Sequence, residues 1–264
     1  MKCVVLAAGY ATRLYPLTEN FPKPLLEVAG RPILDHLLDD IESSGLVDGY
    51  VVVSNHKFAG HFQEWASGHR LSGKITVLDD GTTSNETRLG AVKDIVFAVE
   101  KLRLEGDLLV IAGDNLLSFS LSRFIEAARS RKASCVMRYY EPDLAKLCKA
   151  GVAEVAEDGL ILSMEEKPSR PRSNWCLPPF YYYTASDAAL IARAVEDGCG
   201  TDAPGSLVAW MASHSKVYAW EMPGPRYDIG DLESYRRVQE IFETQRAAPN
   251  GRQPSARMGK QIPD

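Results

Sequence analysis

A glycine, a threonine, an arginine and a lysine follow the first apolar run of the chain at spacings that suit a phosphate group. The stretch LAAGYATRLYPLTENFPKP covers residues 6–24 and contains Gly9, Thr12, Arg13 and Lys23. Backbone N–H groups that converge at such a bend carry partial positive charge, arginine adds a planar fork of donors, and lysine adds a compact charge. We therefore predict that a polyanion binds here. The alternative is a proline-rich surface loop with solvated cations.

Known phosphate-binding motifs do not narrow this prediction. The dinucleotide fingerprint G-x-G-x-x-G and the Walker ending G-K-[ST] are both absent from the stretch. The residues alone thus predict phosphate binding and leave its class open.

Composition excludes several classes of protein. The chain has 264 residues, of which 45% are hydrophobic and 25% charged, enough for one large α/β domain or two small ones. A net charge of -5 argues against a nucleic-acid partner. The five cysteines are widely spaced without a C-x-x-C pair, which predicts reduced packing residues. Because no apolar run approaches the ~20 residues that span a bilayer, we expect a cytoplasmic protein with no membrane partner.

Alternating strand and helix patterns must position the candidate residues. Strands are predicted at 2–8, 51–54, 74–78 and 107–112, and helices at 33–41, 58–65 and 89–102. This β-α-β repeat predicts an α/β fold, with a Rossmann-like, mostly parallel sheet flanked by helices. In such a sheet the ligand site lies at the carboxyl ends of the strands.

The pattern changes after a helix predicted at 121–131. Short strands are predicted at 134–140, 151–155, 160–165 and 180–183, with Asp158 and Gly159 forming a hairpin turn. They predict a small antiparallel extension of the sheet. Helices at 187–195, 207–212 and 232–244 and a strand at 216–222 complete the elements. Residues 246–264 have no apolar periodicity, so we predict a single domain over 1–245 and a disordered tail.

The opening stretch, read on to LLEVAGRPIL, resembles the signature of the sugar-1-phosphate nucleotidylyltransferases. In that family a G-x-G-T-R loop wraps a nucleoside triphosphate, and a lysine about ten residues later touches the reacting phosphates. The resemblance implies catalytic roles for Arg13 and Lys23, although Ala11 replaces the commoner second glycine. The implied nucleotide contacts of the loop are Ala8, Gly9, Tyr10, Ala11, Thr12 and Arg13.

Further landmarks of that family recur in order over roughly residues 1–242: LVIAGDNLL, KAGVAEV, ILSMEEKPSRP and PRYDIGDLESY. The resemblance implies that Asp114 is catalytic and that Asp114 and Asp228 bind Mg²⁺ as the cofactor. It places Gly151 and Glu166 on the sugar and Lys167 on the sugar phosphate. Singly, each of these residues could equally be a helix cap or a solvated charge.

Two segments depart from the family pattern. The base-reading loop, DDGTTSNETRLGAV at residues 79–92, lacks the glutamine of the thymidylyl and uridylyl members, so Thr83 or Asn85 would contact the base together with Gly90. The segment NWCLPPFYYY at 174–183 replaces a T-G-L-Y turn. Tyr182 is predicted to contact the sugar there, although an aromatic residue in an antiparallel strand is more often core.

Together these residues predict a nucleotidyltransferase that joins a nucleoside triphosphate to a sugar-1-phosphate, giving an NDP-sugar and pyrophosphate. One alternative is a cytidylyltransferase acting on a small phosphorylated alcohol such as phosphocholine. Another is a regulatory homologue that binds nucleotides or sugar phosphates without turnover. A monomer or homodimer is expected.

Overall fold

The strands and helices follow the alternation that the sequence predicts. A computed structural model of the protein describes residues 1–247. Its strands are β1 Lys2–Leu6, β2 Glu27–Val28, β3 Arg31–Pro32, β4 Gly49–Ser54, β5 Ile75–Asp79, β6 Leu108–Ala112, β7 Asn115–Leu117, β8 Ser134–Tyr140, β9 Gly151–Val155, β10 Ile161–Glu166, β11 Trp175–Cys176, β12 Phe180–Tyr183, β13 Val217–Glu221 and β14 Arg226–Asp228. Its helices are α1 Ile33–Ser43, α2 His56–Gly68, α3 Ala91–Leu102, α4 Ser122–Arg131, α5 Leu144–Leu147, α6 Ala185–Ala188, α7 Ile191–Glu196, α8 Gly205–His214 and α9 Leu232–Ala247.

The parallel strands β6, β1, β4 and β5 form one side of the sheet, with β5 at its edge. Leu6 at the end of β1 is in register with Ala112 at the end of β6. The N–H of Gly113 then donates to the carbonyl of Leu6 at 3.1 Å. Because the two strands end side by side, the loop after β1 and the residue Asp114 meet at one edge of the sheet.

Helices cover both faces of this sheet. In β1, Cys3 and Val5 pack into one hydrophobic cluster and Val4 into the other, as the two-residue period of a strand requires. On α1 the buried residues are Ile33, Leu34, Leu37, Leu38 and Ile41. Their spacing places them on one face of the helix, and burying each such side chain contributes about 1.5–3 kcal/mol.

An antiparallel extension continues the sheet beyond β6. β12 pairs antiparallel with β6 and with β8, and β11, β9 and β10 follow outward. The hairpin between β9 and β10 turns through Gly159, which has a φ of 89° that favours glycine. The predicted fold class, parallel core plus antiparallel extension, is confirmed.

A short separate ladder joins two distant parts of the chain. β7 pairs antiparallel with β14, which puts Asn115 opposite Asp228. The sequence analysis does not predict either strand, because three residues are too few to show a period. This ladder nevertheless carries the second predicted carboxylate to the end of β6.

The other differences concern element ends and short elements, since β2, β3, β11 and α5 are not among the predicted elements. The single helix predicted at 187–195 is two helices, α6 and α7, and α9 extends to Ala247. The rest of the predicted disordered tail, 248–264, lies outside the described residues. Among the helices that the structure describes, none is both long and apolar enough to cross a membrane.

Candidate active site

The bend after β1 has a defined backbone conformation. Ala11 has φ 47° and ψ 42°, the left-handed region that L-residues other than glycine seldom adopt, and the one-turn 3₁₀ helix Thr12–Leu14 follows. The carbonyl of Ala11 accepts from the N–H of Leu14 at 2.9 Å and from the hydroxyl of Thr18 at 2.8 Å. These bonds hold the bend in the conformation that presents Arg13 to the end of the sheet.

Lys23 lies between two carboxylates. Its Nζ donates to Oδ2 of Asp114 at 2.6 Å and lies 3.9 Å from Oδ1 of Asp228. Only 7% of Lys23 is exposed. A buried charge is costly unless it is paired, so the two acids account for the burial of the lysine.

Asp114, directly after β6, has hydrogen-bond donors on both carboxylate oxygens. The side-chain amide of Asn115 donates to Oδ1 at 2.8 Å, and Lys23 donates to Oδ2. Burial alone would raise the pKa of Asp114, but the adjacent Lys23 ammonium, assisted by Arg226, outweighs burial and holds this pKa below its ordinary value. The carboxylate is therefore ionised at neutral pH.

Asp228 reaches the same place through the ladder of β7 and β14. Nη1 of Arg226 bonds Oδ1 of Asn115 at 2.5 Å and lies 3.5 Å from Oδ2 of Asp228. Two acids separated by more than a hundred positions in the sequence thus flank one ammonium group, as the predicted site requires.

The donor set fits Mg²⁺. Among the described residues no group of three or more His, Cys, Asp or Glu could hold a metal ion by itself. Magnesium is commonly bound through one or two carboxylates together with substrate phosphates and water rather than by an all-protein cage. Asp114 and Asp228 supply two hard oxygen ligands at the place where a phosphate would complete the coordination.

A first cavity of ≈ 300 Å³ opens beside the bend. It extends from Arg13, Lys23 and Asp114 toward the N-terminus of α3. Its lining comprises Leu6, Ala7, Ala8, Gly9, Ala11, Arg13, Leu14, Lys23, Pro24, Arg88, Gly90, Ala91, Asp94, Ala112, Asp114, Asp202, Ile229 and Gly230.

A second cavity of ≈ 870 Å³ lies toward the antiparallel extension. The two cavities have Arg13, Lys23 and Asp114 in common. Polar residues that line only the second cavity include Asn115, Tyr139, Glu141, Lys146, Lys149, Glu166, Tyr181, Arg226 and Asp228. Two ligands, one in each cavity, would therefore meet at the paired charges.

The structure places most of the predicted nucleotide residues at the first cavity. Ala8, Gly9, Ala11, Arg13 and Gly90 line it. Tyr10 and Thr12 do not; Tyr10 is buried, and its hydroxyl donates to the carbonyl of Thr82 at 3.2 Å. The structure therefore does not place the side chains of these two residues in the cavity.

The predicted base contacts Thr83 and Asn85 are not supported by the structure. Both residues are exposed and neither lines the cavity. The loop turns back on itself, with the N–H of Thr87 donating to the carbonyl of Ser84 at 3.2 Å. The structure therefore does not bring the side chains of Thr83 and Asn85 to this cavity.

Arg88 lies at the first cavity and binds a residue that sequence reasoning missed. Its Nε and Nη2 donate to Oδ1 of Asp202 at 3.0 and 2.8 Å. Asp202 precedes α8 and also lines the cavity. The pair links the base loop to the segment before α8, and nothing in the local sequence pattern signals this contact.

Glu166, predicted to contact the sugar, lies in a cradle formed by two glycines. A Cβ on Gly151 would come within 2.9 Å of Oε2 of Glu166, and one on Gly205 would come closer still. All three residues line the second cavity. Burial raises the pKa of Glu166. The glycines let backbone from two elements approach this carboxyl group.

The structure brings Tyr182 to neither cavity. Its hydroxyl donates to Asp107, which precedes β6, whereas both cavities lie where β6 ends. Side chains alternate along a strand, and it is the neighbouring Tyr181 that lines the second cavity.

Lys167 is likewise not brought to the site. The chain leaves β10 at this residue with a φ of 50°, its N–H donates to the carbonyl of Ala150 at 2.9 Å, and it is exposed outside both cavities. Lys146, Lys149 and Arg226, together with the shared Arg13 and Lys23, supply the positive charge of the second cavity. No local pattern signals Arg226, because β14 is too short to show a period, although alternation within the strand puts it on the same side as Asp228.

Comparison with known proteins agrees with this geometry. A family model described as nucleotidyl transferase matches residues 2–245. The chain belongs to the nucleotidyl transferase family. The predicted resemblance to sugar-1-phosphate nucleotidylyltransferases is thereby confirmed.

Curated relatives of this family member include NDP-sugar synthases of different base specificity. A UTP–glucose-1-phosphate uridylyltransferase of Haloferax volcanii is 30% identical over 186 residues, 70% of this chain and 72% of that protein. A glucose-1-phosphate thymidylyltransferase of Mycobacterium tuberculosis is 29% identical over 201 residues, 74% of this chain and 65% of that protein. A glucose-1-phosphate adenylyltransferase of Fervidobacterium nodosum is 26% identical, and the match spans only 59% of its length.

Solved structures support the fold. A UDP-glucose pyrophosphorylase complexed with UDP-glucose has a TM-score of 0.77 at 20% identity, with 92% of this chain and 98% of that chain covered. The structure of an apo UDP-glucose pyrophosphorylase has a TM-score of 0.79 at 19% identity, with 93% of this chain and 98% of that chain covered. The sheet with its extension is thus the architecture of this enzyme class.

Proposed function

We propose that the protein transfers a nucleotidyl group from a nucleoside triphosphate to a sugar-1-phosphate, releasing pyrophosphate and forming an NDP-sugar. The observation that carries this proposal is the ammonium of Lys23 between Asp114 and Asp228, at the point where the two cavities meet. A transfer between two phosphorylated ligands needs positive charge and a metal site at their junction.

The chemistry requires no base. An oxygen of the sugar phosphate, already ionised near neutral pH, attacks the α-phosphorus; the new P–O bond forms as the bond to the bridging α–β oxygen breaks, and pyrophosphate leaves with that electron pair. The residues therefore act by positioning and by stabilising charge. We assign the leaving pyrophosphate to Arg13 and the backbone of the bend.

Asp114 and Asp228 would hold Mg²⁺. When bound, the ion supplies electrostatic stabilisation of the negative charge on the phosphates. Lys23 reduces the mutual repulsion of these two carboxylates in the structure and lies within reach of both cavities. We assign it to the reacting phosphates, where a second cation would offset the repulsion between two anionic ligands.

The acceptor is assigned to the second cavity. Glu166, half-buried between Gly151 and Gly205, offers a carboxyl group to sugar hydroxyls. Arg226 lines this cavity and not the first one, and its Nη1 lies 3.5 Å from Oδ2 of Asp228. We assign it to the acceptor phosphate in place of Lys167.

The test is a matrix of five nucleoside triphosphates against a panel of sugar-1-phosphates and phosphocholine, with Mg²⁺, followed by pyrophosphate release. Turnover with a sugar-1-phosphate supports the proposal. Turnover with phosphocholine alone would establish the cytidylyltransferase alternative. Tight nucleotide binding without turnover across the matrix would establish the regulatory alternative. Oligomeric state and cytoplasmic location stay predictions.

A further inference from the structure

Asp94 is a buried acid without a partner in the first cavity. It lies in the first turn of α3, where its N–H donates to the carbonyl of Gly90 at 3.0 Å. The residue is 5% exposed, and its Oδ1 is buried with no hydrogen-bond partner among the described residues. A buried polar atom left unpaired costs about 1–3 kcal/mol, so this oxygen calls for a ligand that is absent from the protein itself.

The other polar side chains that line this cavity are already engaged or lie at its phosphate end. Arg88 and Asp202 bind each other. Lys23 and Asp114 do the same beside Arg13, where the triphosphate is assigned. Asp94 is thus the side chain left to read the nucleoside.

The triphosphate is assigned to the other end of the cavity, at Arg13 and the bend. The partner of Asp94 therefore belongs to the nucleoside, as a polar edge of the base or a ribose hydroxyl. Asp94 lies one helical turn from Gly90, the predicted base contact that lines the cavity, whereas Thr83 and Asn85 are turned away. No other side chain is thus available to contact the base at this end of the cavity. For this reason we favour the base, rather than the ribose, as the partner of Asp94.

We propose that Asp94 selects the nucleotide by bonding, as a neutral carboxylic acid, to the amidine edge of adenine or cytosine. The exocyclic amino group donates to the carboxyl C=O, and the carboxyl O–H donates to the adjacent ring nitrogen. Uracil and thymine lack this edge, and guanine presents two donors that suit a carboxylate instead. This inference rests on the proposed function, since it names the nucleotide of the same site.

The surroundings favour the neutral form. No described cation pairs with Asp94, and Asp80, whose own pKa is raised by burial, contributes a repulsive negative charge. Burial, and secondly the charge of Asp80, raise the pKa of Asp94 to about 7. The acid can therefore both donate and accept near neutral pH.

The experiment measures binding of ATP, CTP, GTP, UTP and dTTP to the full chain with Mg²⁺ and no acceptor, by titration calorimetry. We expect ATP or CTP to bind roughly tenfold or more tightly than the others, since a base of the wrong edge leaves a buried hydrogen-bonding group of Asp94 unpaired. The analogue of that nucleotide without its amino group should lose about tenfold in the wild type. In Asp94→Ala this loss should disappear.

Two further variants separate reading of the base from packing. Asp94→Asn keeps one donor and one acceptor and should keep the preference, while Glu100→Gln, exposed on the same helix, is the matched control. Thermal unfolding checks that each variant is folded. Preference of the wild type for UTP, dTTP or GTP, equal weakening of all five nucleotides in Asp94→Ala, or loss of the preference in Asp94→Asn would overturn the inference.

Binding and turnover together distinguish this inference from the proposed function. If the binding preference depends on Asp94 but no acceptor yields pyrophosphate, the inference stands and the proposed reaction fails. If pyrophosphate is released with a base choice that Asp94→Ala does not alter, the reaction stands and the inference fails.

Discussion

At the scale of single residues, the ammonium of Lys23 determines the charge balance of the site. It lies 2.6 Å from one carboxylate and 3.9 Å from a second, and it is almost fully buried. Two acids this close would repel each other in the unliganded protein without it. Lys23 thus contributes both to the stability of the unliganded site and, in the proposed reaction, to phosphate binding.

Replacing Lys23 by alanine should lower turnover about 100-fold or more, because a preorganised charge aimed at the reacting phosphates is lost. Steady-state release of pyrophosphate, with the active pair from the substrate matrix, measures this. Lys101→Ala, an exposed lysine on α3, is the matched control and should retain activity. Full activity of Lys23→Ala would remove the role assigned to this residue.

Ala11 provides a residue-scale test of the bend. The left-handed conformation of Ala11 costs roughly 1–2 kcal/mol, and glycine adopts it without this cost. Glycine also makes the unfolded chain more flexible, which favours unfolding by about 0.4–1 kcal/mol. Ala11→Gly should therefore be neutral or raise the free energy of unfolding by up to about 1 kcal/mol. Urea denaturation measures the difference.

The control for that substitution is Ala209→Gly in the middle of α8. There the backbone is helical, so glycine should destabilise by about 1 kcal/mol. The same chemical change thus has opposite or clearly different effects at the two positions. Equal destabilisation by both substitutions would contradict the left-handed conformation of Ala11.

At the scale of elements, the N-terminus of α3 is a docking point for the segment before α8. The N–H groups of Ala91 and Val92 donate to the carbonyls of Asp202 and Thr201 at 3.1 and 3.0 Å. These bonds satisfy donors that the first turn of a helix leaves open. They also fix one wall of the first cavity.

Gly90 permits this docking in two ways. It has a φ of 91°, and a Cβ there would collide with the backbone carbonyl of Thr201. Gly90→Ala should therefore lower the free energy of unfolding by several kcal/mol, on the order of 2–4, from backbone strain and forced separation. Chemical denaturation, with nucleotide affinity measured alongside, tests this.

Gly81→Ala is the matched control, because Gly81 has a φ of 78° with no atom near its would-be Cβ. It incurs the backbone strain alone and should destabilise by only about 1–2 kcal/mol. A loss at Gly90 no larger than the loss at Gly81 would show that the segment before α8 is free to move away.

The elements differ in how far sequence predicts them. The strand β1 and the helix α1 are predicted correctly because the pattern of apolar residues extends over the whole of each element. The ladder of β7 and β14 is not, because its pairing is between segments more than a hundred residues apart and three residues long. The choice between Tyr181 and Tyr182 is difficult for a related reason. Neighbouring side chains of a strand point to opposite faces, and a run of three tyrosines does not show which of them points toward the cavity.

The site follows the same division. Arg13, Lys23, Asp114 and Asp228 are found from the resemblance, and the structure brings them to one junction. Asp202, which meets the base loop only through tertiary packing, has no local signal. The residues of the proposed transfer can therefore be predicted from motifs. The residues that line the rest of the two cavities cannot, because long-range contacts bring them there.

At the scale of the whole molecule, ionisation of Asp94 in the first cavity makes the free energy of unfolding depend on pH. Asp94 has its pKa raised from 3.8 to about 7 in the folded chain. Below pH 3.8 this acid is protonated in both the folded and the unfolded chain, so its ionisation does not lower the free energy of unfolding. Between the two values the folded chain binds more protons than the unfolded chain, so its contribution to stability falls as pH rises.

Asp94→Asn should remove this pH dependence, since the amide does not ionise. Relative to the wild type, the variant should gain roughly 2–3 kcal/mol of unfolding free energy between pH 5 and pH 8, as each pKa unit corresponds to about 1.4 kcal/mol. Glu166, whose pKa burial also raises, is present in both proteins, so its contribution cancels in the difference. Denaturant unfolding at the two pH values, with Glu100→Gln as the exposed control, measures it. A difference that does not change with pH would mean that solvent reaches Asp94 freely, and the neutral acid inferred for base selection would then lack its physical basis.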